Sequence, residues 1–360
     1  MSNLSTNASN DLELQNSNSG SNEKSNTDTK ESIHIEENST NEKEDIINED
    51  DEEDAPFSCC CFKSDPNVDE QTRLGSQPAL ITLLKLTVGP FCSQVVTALY
   101  TIVDSFYISH TIGADGLTAT GVVSLLENIN NSFGLYLSAC VASRVSYLFG
   151  QKRKKECAQL FVDLIRVSWI ISIILPIIML SIVKPITKWF GADDHIQEMG
   201  FQYMIPMSGL TIFYEMYQVC CGLLQSEGLS WLYAICQVTS LVLNMGCLDP
   251  LFLMGIKTPI WGASFASILS SLLPMVFLMI LLFKGKMTVK PKWRMFISKF
   301  SPETASALKM GLSTLVELLS VNLPDIFLQK YVGNSANNIG KYNEVLSAWN
   351  IMYKIYNLIV

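Results

Sequence analysis

Residues 86–103 read LTVGPFCSQVVTALYTIV, eighteen positions without a charge, held between Lys85 and Asp104. A helix crossing a hydrocarbon core of about 30 Å needs roughly 20 mostly apolar residues. Windows of that kind recur along the chain. Val167–Val183 lies between Arg166 and Lys184, Gly228–Leu248 runs up to Asp249, and Thr258–Phe283 lies between Lys257 and Lys284. Less pure windows fill the gaps at 117–148, 199–226 and 308–332, and a further one begins near Asn343 and is cut off at Val360. The pattern predicts seven full spans and part of an eighth in an all-α, polytopic membrane protein.

The whole-chain mean hydropathy of +0.26 is a blend, because the N-terminal stretch is almost purely polar. Residues 1–56 carry 16 of the 34 acids and only 3 of the 25 bases, leaving 18 acids against 22 bases in 57–360. The net charge of -9 therefore describes the tail and not the apolar part. A segment this poor in apolar groups cannot offset its ordering entropy, so 1–75 is expected to be a disordered, acidic, cytosolic tail. It lacks a basic start and an apolar core, so the first span is expected to serve as its own insertion signal. The sequons at Asn3, Asn7 and Asn38 are then chance matches. Seven of the ten cysteines (Cys92, Cys140, Cys157, Cys220, Cys221, Cys236 and Cys247) lie in or beside apolar runs, where Cys behaves as a small hydrophobe. Cys59–Cys61 is read as either a palmitoylation site or a plain juxtamembrane run.

Basic residues set the orientation. Lys152, Arg153, Lys154 and Lys155 follow the second span, and Lys284, Lys286, Lys290, Lys292, Arg294 and Lys299 follow the sixth. The loop after the first span has no Lys or Arg, and that after the fifth has only Lys257. This alternation places the N-terminus in the cytosol. Trp293, Met295, Phe296 and Ile297 beside the lysines mark 286–307 as an amphipathic linker on the membrane surface. It divides a six-helix bundle, 76–285, from the start of a second at 308–360. A weak internal echo agrees: Leu84-Lys85-Leu86 resembles Leu308-Lys309-Met310, and Gly113-Ala114 resembles Gly333-Asn334.

Ionisable groups at membrane depth cost at least a few kcal/mol, so each is a functional candidate. Asp104 closes the first uncharged run, with Tyr100 one turn earlier on the same face. Pro90 in that helix frees a carbonyl and permits bending. Asp249 follows 21 uncharged residues and precedes Pro250, with Asn244 five residues before it. Ser267 lies in the small-residue stretch Gly262–Ser267 of the next span. Glu127, Asn128, Asn130 and Asn131 give the second span a polar stretch suited to a cavity, as do Glu215, Gln218 and Gln225 in the fourth. The seventh holds Glu317 and Asp325. Asp163 and Arg166 read as a structural ion pair, and Arg144 and Glu227 as interfacial. None of the clear mid-helix groups is read as cationic.

Three runs resemble the MATE (multidrug and toxic compound extrusion) family. They are Leu99–Ile108 continuing through Gly113-Ala114 to Gly121, Leu223–Gly228, and Leu243–Phe252 followed by Trp261–Ser267. The resemblance covers 80–285 well and 300–360 loosely. It implies two six-helix lobes that alternate between outward and inward openings and export cationic or amphipathic organic compounds against H+ or Na+. It also implies a cation site at Tyr100, Asp104, Asn244, Asp249 and Ser267, with Na+ at Asp104 and Asp249 as one form of the coupling ion. Two departures stand out. The family spaces its Asn and Asp by four residues, whereas Asn244 and Asp249 are five apart, which turns them from about 40° to about 140° around an α-helix. Either a π-bulge restores the face or Asn244 is not a ligand. Ser313 holds the place of the family's helix-seven Pro, and Glu317 follows it too closely.

The expected protein is a cation-coupled antiporter, with Glu127, Asn128, Asn131, Gln218 and Glu317 lining the substrate cavity and Pro90 bending the first helix. It is expected to act as a monomer in a lipid bilayer, with small organic substrates and without cofactor, nucleic acid or enzymatic chemistry. No phosphate-binding Gly loop, nucleophile elbow or metal cluster marks an enzyme. The alternatives are a lipid-linked oligosaccharide flippase, which needs cations in its cavity, and a shortened paralogue that does not transport. A seven-helix receptor is disfavoured by the loop charges.

Overall fold

The computed structural model describes residues 79–359, so the tail at 1–75 and the Cys59–Cys61 run lie outside the described residues. In chain order the helices are α1 (Ala79–Thr111), α2 (Ala114–Gly150), α3 (Lys154–Phe190), α4 (Asp194–Gly209) and α5 (Thr211–Ser226). Then come α6 (Ser230–Leu243), α7 (Trp261–Phe283), a 3₁₀ turn at Trp293–Phe296, α8 (Pro302–Ile339) and α9 (Tyr342–Ile359). Beyond Leu243, α6 continues as two π-helical segments, Asn244–Leu248 and Pro250–Gly255.

Five helical segments among the described residues are long and apolar enough to cross a membrane, namely Leu86–Thr111, Lys154–Phe190, Ser230–Gly255, Trp261–Phe283 and Pro302–Ile339. The chain is a multi-pass integral membrane protein. The first expected span continues seven residues further toward the N-terminus within α1. The fourth is not one helix: α4 ends at Gly209 and α5 restarts at Thr211, with Leu210 between them out of helical register.

α3 shows why these segments face lipid. Its exposed side chains include Ile170, Ile173, Ile174, Ile177 and Ile178, an apolar stripe at helical spacing that only hydrocarbon can solvate. Its other face is buried against α2, α4 and α5. α2 is the central post, packed by α3, α4, α5, α8 and α9. Its Leu117–Leu126 part joins one apolar core with Ile108, Val183, Phe190 and Met204. Its Tyr136–Phe149 part joins a second with Leu160, Phe161, Tyr217 and Leu223. The polar stretch from Glu127 to Asn131 lies on α2 between these two cores.

α8 reaches α2 and α3 through small residues. A Cβ on Gly311 would collide with Cys140 Sγ, and one on Gly333 with the Phe190 carbonyl oxygen. Gly333 is therefore a packing residue inside α8, and the helix ends at the left-handed Gly340 (φ 70°). The echo between Gly113-Ala114 and Gly333-Asn334 thus has no structural counterpart, since only Gly113 sits at a helix boundary.

The segment between α7 and α8 is pinned as well as amphipathic. Buried Glu227 accepts hydrogen bonds from the Thr288 and Val289 amides at 3.3 and 2.9 Å. Trp293, Ile297 and Phe300 remain exposed, while Trp293 stacks on Phe283. Arg144 pairs with Glu303 at the start of α8.

Candidate functional site

The site begins with a local failure of α-helical hydrogen bonding. Pro250 has no amide hydrogen, so the α-type bond to the residue four earlier cannot form. The neighbouring turns widen: the Asp249 amide donates to the Asn244 carbonyl, five residues back, and the Ile256 amide to Leu251 at 2.8 Å. A π-helical turn stacks residues five apart, and it brings Asn244 onto the Asp249 face. Asn244 Nδ2 donates to Asp249 Oδ1 at 3.1 Å. Of the two readings left open by the five-residue spacing, the π-bulge is the one realised.

α1 supplies the facing wall. The Tyr100 hydroxyl lies against Ser267 and Ser270 of α7 and within electrostatic reach of Asp104 and Asp249. Tyr107 donates to the Met245 carbonyl at 3.2 Å, tying α1 to the π turn. Ser240 and Ser270 are 3.2 Å apart where α6 meets α7. Five residues from three distant parts of the sequence, Tyr100, Asp104, Asn244, Asp249 and Ser267, thus converge.

Their burial is nearly complete, at 6% exposure for Asp104, 1% for Asn244 and 0% for Asp249. Asp104 Oδ1, Asn244 Oδ1 and Asp249 Oδ2 have no hydrogen-bond partner among the described residues. An unpartnered buried acceptor costs about 1–3 kcal/mol, and more when charged. A group of carboxylate, amide and hydroxyl oxygens is the donor set that hard cations prefer, and carboxylates equally accept protons. Asp104 and Asp249 interact electrostatically, so neutralising one eases the other.

Pro90 acts as the sequence suggested, with an addition from α6. It frees the Leu86 carbonyl, and Ser230 Oγ donates to that oxygen at 3.1 Å. The two helices touch there, because a Cβ on Gly89 would lie 2.7 Å from the Ser230 carbonyl oxygen. The proline break in α1 is thereby satisfied across the same helix pair that carries the acids.

The MatE family model matches residues 91–247, which hold the whole of α2–α5 and three of the five converging residues, Tyr100, Asp104 and Asn244. The chain belongs to the MATE family. It is 19% identical over 287 residues to the probable multidrug resistance protein YoeA of Bacillus subtilis (strain 168), covering 77% of this chain and 62% of that protein. Among solved structures it is similar to the MATE multidrug transporter DinF-BH in a complex with a small organic compound, with TM-score 0.69, 22% identity, and coverage of 81% of this chain and 64% of that one. It is also similar to an inward-facing multidrug resistance MATE transporter of the MOP superfamily, with TM-score 0.63, 22% identity, and coverage of 76% and 63%. The chain spans about three fifths of the length of the MATE relatives it matches.

The remaining cavity candidates divide in this MATE chain. Glu127 belongs with the acids: Tyr203 donates to its Oε2 at 3.4 Å, and it lies within electrostatic reach of Asp104. Asn131 has a buried, unpartnered Oδ1, and Gln218 is buried beside Tyr214 on the seam between α2 and α5. Asn128 is half-buried, and its carbonyl accepts from Ser132 at 2.7 Å. Glu317 is exposed and lines nothing among the described residues, a correction to its expected place in the cavity. α8 turns its small residues inward, and Glu317 is six positions past Gly311, about 240° around the helix.

One residue was missed. Lys354 of α9 reaches the acids, its Nζ donating to Ser105 Oγ and to the Thr101 carbonyl at 3.5 Å. The expectation that no mid-helix group is cationic is therefore corrected. A lone lysine at position 354, inside the apolar-faced stretch 342–359, was the available signal.

Proposed function

We propose that this MATE protein is an antiporter coupled to H+ or Na+ that exports organic, cationic or amphipathic compounds by alternating access. The observation that carries the reading is the meeting of three unpartnered, buried oxygens from Asp104, Asn244 and Asp249. A bilayer protein retains such a group where cation exchange is its purpose. When a proton or Na+ loads Asp104 and Asp249, the pocket loses its negative charge and no longer favours a cationic substrate. Bending of α1 at Pro90 would accompany that change, with the Ser230 hydrogen bond to Leu86 as the element that breaks or slides.

In this reading Tyr100 and Ser267 complete the oxygen set, while Glu127, Asn131 and Gln218 line the path of the organic compound. The N-terminus is cytosolic, and the basic segments at 152–155 and 284–299 face the same compartment. The solved ligand complex of DinF-BH supports a small organic substrate. A flippase for lipid-linked phosphates is less well supported, because Lys354 is turned toward carboxylates.

The test is gradient-driven efflux of a cationic dye from proteoliposomes holding the full-length protein. Efflux is expected to stop in Asp104→Asn while the wild type remains active. Efflux in Asp104→Asn equal to wild type would rule out the coupling role. A folded wild type without any efflux would identify a non-transporting relative.

A further inference from the structure

Lys354 sits at a place where a positive charge is expensive. A lysine in the membrane interior persists when it is paired or lines a polar path. Its hydrogen bonds go to two neutral oxygens of α1, Ser105 Oγ and the Thr101 carbonyl, on either side of Asp104 in sequence. The charges that face it are Asp104 on α1 and Glu127 on α2, with both of which it interacts electrostatically. Asp249 on α6 lies behind Asp104 and is coupled to it, and Tyr203 on α4 holds Glu127. On the α8 side the adjoining Tyr353 donates to Asp325, so that carboxylate is already engaged. The three acids on α1, α2 and α6 therefore share one internal cation, which leaves room for exchangeable ones.

The position in the chain is as telling as the distance. The acids lie before the 284–301 linker, and Lys354 lies after it on α9. α9 touches α1 and α2 through a file of polar contacts: Asn343 to Asp115 at 2.7 Å, Ser347 to Thr118 at 2.8 Å, and Asn350 to the Leu117 carbonyl at 3.0 Å. Lys354 ends that file. We propose that Lys354 is a tethered counter-cation of the acid site, seated there when the site is unloaded and displaced when the coupling cation binds. This rests on the cation-site reading given above. The lysine competes with the incoming ion, and its electrostatic hold on α1 and α2 weakens once the carboxylates are neutralised. Loading would then loosen α9 from α1, coupling ion binding to movement of the segment after the linker.

The lysine's aliphatic stem allows Nζ to swing between Ser105 and the carboxylates without moving the helix. Removing a like charge beside a partly buried site raises its affinity for a second cation by about tenfold or more. The experiment measures cation binding to the purified full-length protein by titration with Na+ at fixed pH and with H+ at fixed Na+. Lys354→Met is expected to bind the cation at least about tenfold more tightly than wild type, and Lys354→Arg to stay near it. Lys354→Gln carries the same expectation should the Met variant fail to fold. Unchanged affinity in Lys354→Met and Lys354→Gln, with binding lost in Asp104→Asn, overturns the proposal and leaves the cation site standing. Wild-type binding in Asp104→Asn overturns the cation site itself.

Discussion

Two aspartates of this chain are fully buried and could hardly be treated more differently. Asp163 on α3 is surrounded by donors: Gln159 Nε2 at 2.8 Å and Arg166 Nη1 at 3.1 Å on one oxygen, the Ser301 amide at 2.8 Å and Thr304 Oγ1 at 2.9 Å on the other. Arg166 is itself seated on the Ser298 carbonyl and over the Phe300 ring. Asp249 on α6 has one donor, Asn244, and leaves its second oxygen unpartnered. The first arrangement fastens the linker and the start of α8 to α3. The second leaves acceptor capacity inside the bundle. Burial alone therefore does not mark a functional acid; satisfaction of its oxygens separates an anchor from an exchange site.

That contrast can be broken at its strong end first. Asp163→Ala removes one partner of a buried pair and strands Arg166, so unfolding in detergent is expected to become easier by about 3–5 kcal/mol. A loss within measurement error would show that the anchor is redundant and that the comparison is misdrawn. A smaller effect is expected where the proline break is satisfied. Ser230→Ala withdraws the donor to the Leu86 carbonyl, at a cost of about 1 kcal/mol. The loss should shrink in a Pro90→Ala background, where the helix can bond that carbonyl itself. Equal losses in both backgrounds would separate Ser230 from the proline.

The sequence made the first region of this comparison less legible than the second. An acid in an uncharged run is conspicuous because hydrocarbon tolerates so few, and Asp104 and Asp249 were readable on that ground. Tyr100, Asn244 and Ser267 came from the family resemblance, since a tyrosine, an amide or a serine in a helix is ordinary by itself. The five-residue spacing was readable as a problem, and Pro250 holds the physical answer: without its amide the turn widens, and the wide turn aligns Asn244 with Asp249.

The misses have equally local causes. Lys354 lies in the span whose start alone was recognised, so its lone charge was never weighed. The break at Leu210 left the apolar window 199–226 intact and hid one interruption inside an unbroken composition. The Gly333 echo failed because glycine serves both helix ends and close helix contacts, and two matched residues cannot tell these uses apart. Glu317 was placed by analogy with a pattern from which the sequence already departed, and packing turned it outward. Asp163 was recognised as an ion pair, but Ser301 and Thr304 lie about 140 residues away in sequence and nothing local announces them.

The central claim is that the unpartnered oxygens of Asp104 and Asp249 exist to exchange a cation. The direct measurement is the number of protons or sodium ions taken up per molecule of the full-length protein, by titration of the wild type, the Asp104→Asn/Asp249→Asn double variant, and Asp163→Asn. Uptake is predicted in the wild type and in Asp163→Asn, and none at this site in the double variant. Uptake by the double variant equal to that of the wild type would contradict the account.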